Sequence, residues 1–276
     1  MTLNTNVKKD RILVLGKGFL GKQFEKNGYR VLGKEEFRFV TDVHYADLSS
    51  FSVLKDGSYE VIINTIGKSN TRWCEKQENW KETFKVNSEL PYLLSEHCKK
   101  HGKKLVHISS GCVYDENSRP QTEEDHVSSH CKYVVSKLAG EYGCDLERDL
   151  ILRPRLFFGE DWDKNNLLSK ISRFENFLTE VNSFTNTQTI VEATQALLDN
   201  EQVGIFNVAE RGYTSLWNII KSIGLCGGRM TGGELRSREG LYLVNNIMDT
   251  TKLEQFYTPR EIFESVGECW KNMNGY

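Results

Sequence analysis

The sequence predicts an α/β protein: a Rossmann doubly wound parallel sheet with a smaller substrate-binding lobe. Three observations lead to this prediction. Short apolar runs alternate with helical patterns through the first two thirds of the chain, a glycine loop joins the first strand to the first helix, and the alternation weakens past Gly159. Strands that alternate with helices form a parallel sheet with both faces covered.

The predicted elements follow in order along the chain. Strands are predicted in "RILVLG", "YRVLG", "EVIINTIG", "KLVHISS" and "DLILRPRLF", with helices from Phe19, near residues 80–100 and around residues 133–146. His107 is expected to point out of its strand. Later come a helix over 165–178, a helix over 191–199, the strand "VGIFNV" and Gly-rich loops. We expect a Rossmann domain of residues 1–157 and 188–208, and a lobe of residues 158–187 and 209–276.

Composition excludes several classes of function. The 276 residues carry a formal net charge of −2 and no Lys/Arg-rich block, which argues against nucleic acid or an anionic membrane as partner. No apolar run approaches the roughly 20 residues that span a bilayer, and "MTLNTNVKKDRILVLG" lacks a signal-peptide core, so a cytoplasmic location is expected. The seven cysteines form no CxxC pair, so no metal is expected.

The glycine loop "VLGKGFLGK" follows a strand and opens a helix. Gly16 would allow a tight turn, Gly18 the close approach of a pyrophosphate, and Gly21 close packing of helix on sheet. With Phe19 and Leu20, these glycines are predicted to bind a dinucleotide. The alternative is a merely flexible turn between strand and helix.

The end of the second strand bears on which dinucleotide binds. In "VLGKEEFR" a lysine and an arginine flank two glutamates, so the segment offers cations for the 2′-phosphate of NADP and acids for the ribose of NAD. Lys34 favours NADPH, with NADH as the alternative. Asp47 and Leu48 are predicted to bind the adenine amino group. The alternative, which is the commoner case for such a pair, is an aspartate that is simply exposed on the surface. Asn64 is expected to satisfy backbone groups beside the cofactor.

The segment "YVVSK" sets Tyr133 and Lys137 four residues apart, on one face of a helix. A phenol has a pKa of about 10, and a neighbouring ammonium favours the phenolate and lowers that pKa. Ser110 at a strand end would hydrogen-bond a substrate carbonyl, while the tyrosine passes it a proton as hydride arrives. The three residues together predict a carbonyl-reducing site.

The order of GxGxxG, "NTIG", "ISSGCVYD", YxxxK and "LRPRLFFG" resembles the extended short-chain dehydrogenase/reductase family over nearly the whole chain. The chain is similar to its nucleotide-sugar branch, near dTDP-4-dehydrorhamnose reductases and nearer still to the bifunctional 3,5-epimerase/4-reductases that form UDP-L-rhamnose. The closer similarity is carried by "RWCE", "SGCVYD", "NLLSKISRFE", "NTQTI", "GIFNV" and "NNIMDTTKL". The resemblance implies reductase roles for Ser110, Tyr133 and Lys137.

Cys112 has no task in a pure reductase. A 3,5-epimerase needs acid–base groups beside C3 and C5, and a thiol, which titrates near 8.5 and lower beside a cation, suits proton abstraction from carbon. The resemblance implies Cys112 as one such group and Lys170 as the other. Lys170 falls within or at the edge of the apolar stripe of the predicted helix over 165–178. The alternative there is a lysine that only snorkels past core residues.

The expected function is NADPH-dependent 3,5-epimerisation and 4-reduction of a nucleotide-linked 4-keto-6-deoxyhexose, giving a nucleotide-L-rhamnose, with UDP preferred over dTDP as the nucleotide. Arg155, Asn165 and Thr189 are expected to bind this substrate, together with Ser110 and Cys112. One alternative is a 4-reductase alone, with the cysteine as a packing residue. Another is a non-catalytic dinucleotide-sensing protein, which would not need the Ser–Tyr–Lys set. The oligomeric state stays open, with a homodimer as one possibility.

Overall fold

The computed structural model describes residues 7–33, 35–36, 54, 57–114, 119–128, 131–239 and 245–275. The chain forms two compact units. The first unit comprises Met1–Val113, Ser128–Arg153 and Thr194–Phe206, and the second comprises Tyr114–Val127, Pro154–Ala193 and Asn207–Tyr276. That a Rossmann domain binds the cofactor and a smaller lobe the substrate stays a prediction.

The described part of the first unit is built on a six-stranded sheet. Its strands lie in the order Gly204–Val208, Leu150–Pro154, Lys104–Ile108, Val61–Asn64, Ile12–Leu15, Arg30–Leu32. The first strand in sequence, Ile12–Leu15, pairs in parallel with a strand on each side. The chain therefore adds strands first on one side of it and then on the other, as in a doubly wound sheet. This confirms the predicted fold class and puts the switch point, where such folds bind ligands, just after Leu15.

Two of the central strands are buried along their whole length. All four residues of Ile12–Leu15 and of Val61–Asn64 are buried. The expectation that His107 points out of its strand is wrong: this histidine is fully buried, and its Nδ1 lies 3.3 Å from Nδ2 of Asn64. A parallel sheet covered on both faces leaves no outward direction for the side chain. Burial, with a smaller effect of Lys137, lowers its pKa well below the ordinary value.

The helices of the first unit include Phe19–Lys26, Thr71–Glu75, Trp80–Phe84, Leu90–Lys100 and Lys132–Tyr142. The single helix predicted near 80–100 is interrupted by a π-helical turn at Lys85–Glu89. Pro91 has no N–H to bond the carbonyl of Asn87 four residues earlier. A Cβ on Gly140 would lie only 2.2 Å from that carbonyl oxygen, so the bulged turn packs against a glycine of the neighbouring helix.

Where the structure describes the second unit, it shows four short strand pairings. They join Phe157–Phe158 to Thr185–Asn186, Asn176–Leu178 to Gly228–Met230, Val181–Asn182 to Thr214–Ser215, and Pro120–Gln121 to Ile247–Met248. Its helices include Leu167–Ile171, Leu216–Ser222, Gly232–Glu239, Thr251–Glu254 and Ile262–Asn274, and a further long helix of the chain is Thr187–Asp199. Phenylalanine and aliphatic side chains of this unit form its core, including Phe158, Leu168, Ile171, Phe177, Phe184, Ile219, Ile262 and Val266.

The helix predicted over 165–178 is shorter than expected. It ends at Ile171, and Asn176–Leu178 forms a strand. Phe177 is buried in the core of the second unit, whereas Phe174, placed on the apolar stripe by helical spacing, is half exposed. Gly227 allows this packing, because a Cβ there would lie 2.1 Å from the Phe177 ring. Strand pairing and aromatic burial therefore override the helical period.

Among the described residues, every helix is too short or too polar to span a lipid bilayer.

Candidate active site

The glycine loop lies at the switch point of the sheet. Gly16 has φ +104°, a conformation that side chains other than glycine rarely adopt. A Cβ on Gly21 would lie 1.8 Å from the Gly16 carbonyl oxygen, so the helix passes the loop in direct contact. A Cβ on Gly18 would meet nothing within 4 Å, which leaves open space before the first turn of the helix. Open space at the N–H groups of a helix start fits a pyrophosphate.

The helix that starts at this loop has no side-chain cap. Gly18 is its N-cap residue, and no side chain of that residue can accept from the first N–H groups. Phe19 and Leu20 form the first turn and are both buried, so they present backbone rather than side chains. A phosphate would satisfy these donors. Lys34, Asp47 and Leu48 lie outside the described residues, and their cofactor contacts stay predictions.

Asn64 holds the ends of two strands together. It is fully buried; its Oδ1 accepts from the backbone N–H of Ile66 at 3.1 Å, and its Nδ2 lies against His107. Both amide groups are therefore used inside the protein. The contacts agree with its expected task of satisfying backbone groups, and its contact with a cofactor stays a prediction.

Tyr133 and Lys137 lie in the first turns of the helix Lys132–Tyr142 and are both buried. The Lys137 ammonium donates a 2.7 Å hydrogen bond to the carbonyl of Ile108, at the end of the central strand. Desolvation lowers the pKa of Lys137 to about 8, while Glu141 and two nearby thiols act in the opposite direction. Near neutral pH the lysine is therefore a cation close to its titration point, one helical turn from a phenol.

Ser110 and Cys112 follow the same strand end. Ser110 is buried, and its Oγ accepts from the backbone N–H of Cys112 at 3.1 Å. Cys112 lies half-buried in the 3-10 turn Gly111–Val113. Cys131 is the N-cap residue of the tyrosine–lysine helix, and burial raises the pKa of its thiol to about 11. The turn Gly111–Val113 packs against that helix. The first unit thus brings four predicted residues to one region.

Lys170 belongs to the second unit. It lies in the last turn of Leu167–Ile171, whose start is fixed by Asn166: the side-chain oxygen accepts from Leu168 N–H, and Nδ2 donates to the Gly159 carbonyl at 2.8 Å. The side chain of Lys170 reaches solvent, while neighbouring protein still lowers its pKa by desolvation. Asp163 opposes this shift.

The other predicted substrate residues also belong to the second unit. Arg155 is buried rather than solvated: its N–H donates to Thr185 Oγ1 at 2.8 Å, and Nη2 donates to Asn182 Oδ1 at 2.6 Å. Asn165 is exposed in a loop. Thr189 is buried and donates from Oγ1 to the carboxyl of Glu210 at 2.6 Å. The substrate contacts of all three stay predictions.

Two further carboxylates near the site are not among the residues predicted from the sequence. Glu75 accepts the N–H of Tyr133 at 3.2 Å and so caps the helix that carries the tyrosine. Glu141 is four residues after Lys137 and forms a buried ion pair with Arg153 at 2.6 Å. The one signal for Glu141 is this i, i+4 spacing, which continues the tyrosine–lysine spacing along the same helix face.

The sequence matches a known family. A model of the RmlD substrate-binding domain matches residues 10–223. The chain belongs to this family. Membership confirms the resemblance to dTDP-4-dehydrorhamnose reductases stated from the motifs.

Two curated relatives of this RmlD-family chain are proteins of Arabidopsis thaliana. One is a trifunctional UDP-glucose 4,6-dehydratase/UDP-4-keto-6-deoxy-D-glucose 3,5-epimerase/UDP-4-keto-L-rhamnose-reductase, and the other a bifunctional dTDP-4-dehydrorhamnose 3,5-epimerase/dTDP-4-dehydrorhamnose reductase. Each is 25% identical over 163 residues, or 54% of this chain. The chain spans 24% of the first relative and 52% of the second.

Solved structures share the fold. The UDP-rhamnose synthase of Acanthamoeba polyphaga mimivirus has a TM-score of 0.80 at 20% identity, covering 95% of this chain and 99% of that one. The dTDP-4-dehydrorhamnose reductase of Bacillus anthracis, solved in complex with NADP, has a TM-score of 0.77 at 17% identity, again covering 95% and 99%. At these identities the likeness establishes the fold of the RmlD-family chain.

Proposed function

We propose that this RmlD-family protein is an NADPH-dependent enzyme that epimerises C3 and C5 of a nucleotide-linked 4-keto-6-deoxyhexose and reduces C4, giving a nucleotide-L-rhamnose. The observation that carries the reductive half is the buried lysine. Lys137 lies one helical turn from Tyr133, and it binds the carbonyl of Ile108, two residues before Ser110. UDP is the proposed nucleotide, with dTDP as the alternative.

Reduction uses the residues of the first unit. Ser110 Oγ would hydrogen-bond the C4 carbonyl oxygen, and the Tyr133 hydroxyl would donate the proton that this oxygen needs when it becomes a hydroxyl. The ammonium of Lys137 stabilises the phenolate left on the tyrosine. With an ordinary phenol pKa of about 10, this cation is what makes proton transfer feasible near neutral pH.

The glycine loop would hold the cofactor by its pyrophosphate. Gly18 leaves the open space, and the uncapped N–H groups of the following helix face it. NADPH supplies the hydride for C4 when it is bound there. Lys34 is the proposed partner of the 2′-phosphate, and NADH is the alternative cofactor.

Epimerisation needs proton exchange but no hydride. Cys112 would remove or return the proton on one side of the sugar ring, since a thiolate is a suitable base for a proton acidified by the adjacent C4 ketone. Lys170 would serve the other side, and its lowered pKa suits that task. The epimerase activities of the two Arabidopsis relatives support this half of the proposal.

Deuterium exchange separates the two halves. The purified protein is incubated in heavy water with UDP-4-keto-6-deoxyglucose and without NADPH, and deuterium at C3 and C5 is followed by NMR. We expect the wild type and Tyr133→Phe to exchange both protons. We expect Cys112→Ser to exchange roughly 100- to 10,000-fold more slowly, as on loss of a general base. Adding NADPH should then give the rhamnose product with the wild type and not with Tyr133→Phe.

The alternatives predict different results. Reduction of a 4-keto sugar with no exchange in the wild type, or exchange at the wild-type rate in Cys112→Ser, would leave a 4-reductase with Cys112 as a packing residue. Binding of NADPH with neither exchange nor reduction would point to a dinucleotide-sensing protein.

A further inference from the structure

A buried polar chain in the first unit joins the end of the strand Lys104–Ile108 to the helix Lys132–Tyr142. Glu141 lies at its centre, with 4% of its side chain exposed. The hydroxyl of Ser109 donates to Oε1 of this glutamate. Arg153, on the next strand and equally buried, donates to both carboxylate oxygens, from Nε at 3.1 and 3.2 Å and from Nη2 at 2.6 Å. One carboxylate thus binds two strands to one helix.

The helix holds the strand end at two successive residues. Glu141 and Lys137 are four residues apart and lie on the same helix face. Lys137 donates to the carbonyl of Ile108 at 2.7 Å, and Glu141 accepts from the hydroxyl of Ser109. The residue after these two is Ser110. Its position relative to the helix is therefore set by the contacts of the two residues before it.

The same carboxylate also acts on the buried ammonium of Lys137, four residues earlier on the helix, and raises its pKa. An ammonium in a low-dielectric interior loses hydration, and its charge persists only with compensation. Among the residues that the structure describes, the titratable groups that act on Lys137 are Glu141 on its own helix, Cys144 beyond the helix and Cys74 on a neighbouring helix. Burial raises the pKa of both thiols, that of Cys144 to about 12. His107 is neutral, since its pKa is lowered. Glu141 is the one carboxylate among these groups, and it is held in a buried ion pair with Arg153.

We propose that Glu141 is a positioning residue for the reduction. It fixes Ser110 relative to Tyr133, and it stabilises the ammonium form of Lys137, which the tyrosine needs when it donates its proton. Arg153 orients the carboxylate for both tasks through its hydrogen bonds. The inference rests on the proposed reductase activity. It goes beyond that activity because Glu141 touches neither substrate nor cofactor in the proposed mechanism.

The charge of Lys137 can be titrated directly. Lysine labelled with ¹³C at Cε reports its protonation by NMR, and the Lys137 signal is identified by its absence in Lys137→Met. Glu141→Gln keeps an acceptor for Ser109 and removes the negative charge. We expect the Lys137 midpoint to fall by about one pH unit. Since the ammonium form supports reduction, kcat of the variant should be lost at lower pH than kcat of the wild type. Glu141→Asp, which keeps the charge, should leave the midpoint near that of the wild type.

The geometric half is tested by a milder change. Ser109→Ala removes the hydroxyl from the chain and keeps the ion pair, so it folds even if Glu141→Gln does not. We expect kcat for C4 reduction to fall by about tenfold to a hundredfold, with the KM for NADPH unchanged. The matched control for Glu141→Gln is Asp149→Asn. Asp149 is a fully buried carboxylate that accepts from Ser95 and Arg148, and its loss should cost stability without moving the Lys137 midpoint.

An unchanged Lys137 midpoint in Glu141→Gln, or wild-type kcat in Ser109→Ala, would overturn the corresponding half and leave Glu141 as a structural ion pair. A wild type that reduces no 4-keto sugar would instead refute the proposed function. The lysine titration needs no activity and would still decide the electrostatic half.

Discussion

Glu210, in the second unit, should make the stability of the protein depend on pH. Its side chain is almost completely buried. Burial raises its pKa to about 7, although Thr189 Oγ1 and the N–H of Asn186 donate to its Oε1 at 2.6 and 3.1 Å and lower the pKa. The positive charge of Arg260 also lowers it. Desolvation exceeds these effects, so the carboxyl holds its proton up to neutral pH.

The magnitude follows from the two pKa values. Unfolding returns the Glu210 carboxyl to its ordinary value of 4.5, from about 7 in the folded protein. The folded state then binds more protons than the unfolded state, so the free energy of unfolding falls as pH rises from about 4.5 to about 7 and is constant above. At about 1.36 kcal/mol per pH unit, the full loss is about 3 kcal/mol, of which about 2.5 kcal/mol falls between pH 5 and pH 8.

Glu210→Gln removes the titration with little change of shape. The amide oxygen still accepts from Thr189 and Asn186, and the free energy of unfolding should no longer fall by that amount between pH 5 and pH 8. Urea unfolding followed by tryptophan fluorescence measures it at both pH values. Glu261→Gln is the matched control: this carboxylate is exposed, pairs with Arg211, and its loss should leave the wild-type pH dependence unchanged. Equal pH dependence in the wild type and Glu210→Gln would refute the reasoning.

Two further predictions concern the cofactor. Gly18→Ala adds a Cβ to the open space before the helix, so NADPH binding measured by fluorescence titration should weaken at least about tenfold while stability is retained. Gly267→Ala is the control, because its Cβ also meets nothing within 4 Å, and it should leave NADPH binding intact. Unaltered affinity in Gly18→Ala would mean that no pyrophosphate lies there. Lys34→Ala should erase most of the preference for NADPH over NADH, and a wild type that uses both equally well would contradict the proposed role of Lys34.

The sheet could be predicted from the sequence because its signals are local. Each central strand is a short apolar run between turns, and burial on both faces leaves such runs uninterrupted, as in Ile12–Leu15 and Val61–Asn64. Tyr133 and Lys137 could be found for a similar reason. Their spacing is a property of one helix, and that helix forms over Lys132–Tyr142, although it ends four residues before the predicted end at residue 146.

Features that depend on distant residues could not be predicted in this way. The apolar spacing after residue 165 suits a helix, yet the chain turns into a strand because Phe177 packs where Gly227, fifty residues later, leaves room for its ring. Glu210 gives no local sign of a raised pKa, which arises from burial by the surrounding fold. Ser109 lies beside a predicted residue, but its partner Glu141 is 32 residues away in sequence.

Cys112 bears on both proposed activities. Its thiol would act in epimerisation, and its backbone affects reduction. Its N–H donates to Ser110 Oγ, so the turn Gly111–Val113 helps to orient the serine that would bind the C4 carbonyl. A substitution that disturbs this turn would therefore impair reduction as well as exchange. The substitution Cys112→Ser keeps the backbone donor and almost the volume of the side chain, and it replaces an ionisable thiol with a hydroxyl that hardly ionises. Loss of exchange with retained NADPH-dependent turnover of an already epimerised 4-keto-L-rhamnose nucleotide would thus identify the thiol itself as the base, whereas parallel loss of both would trace the defect to the turn.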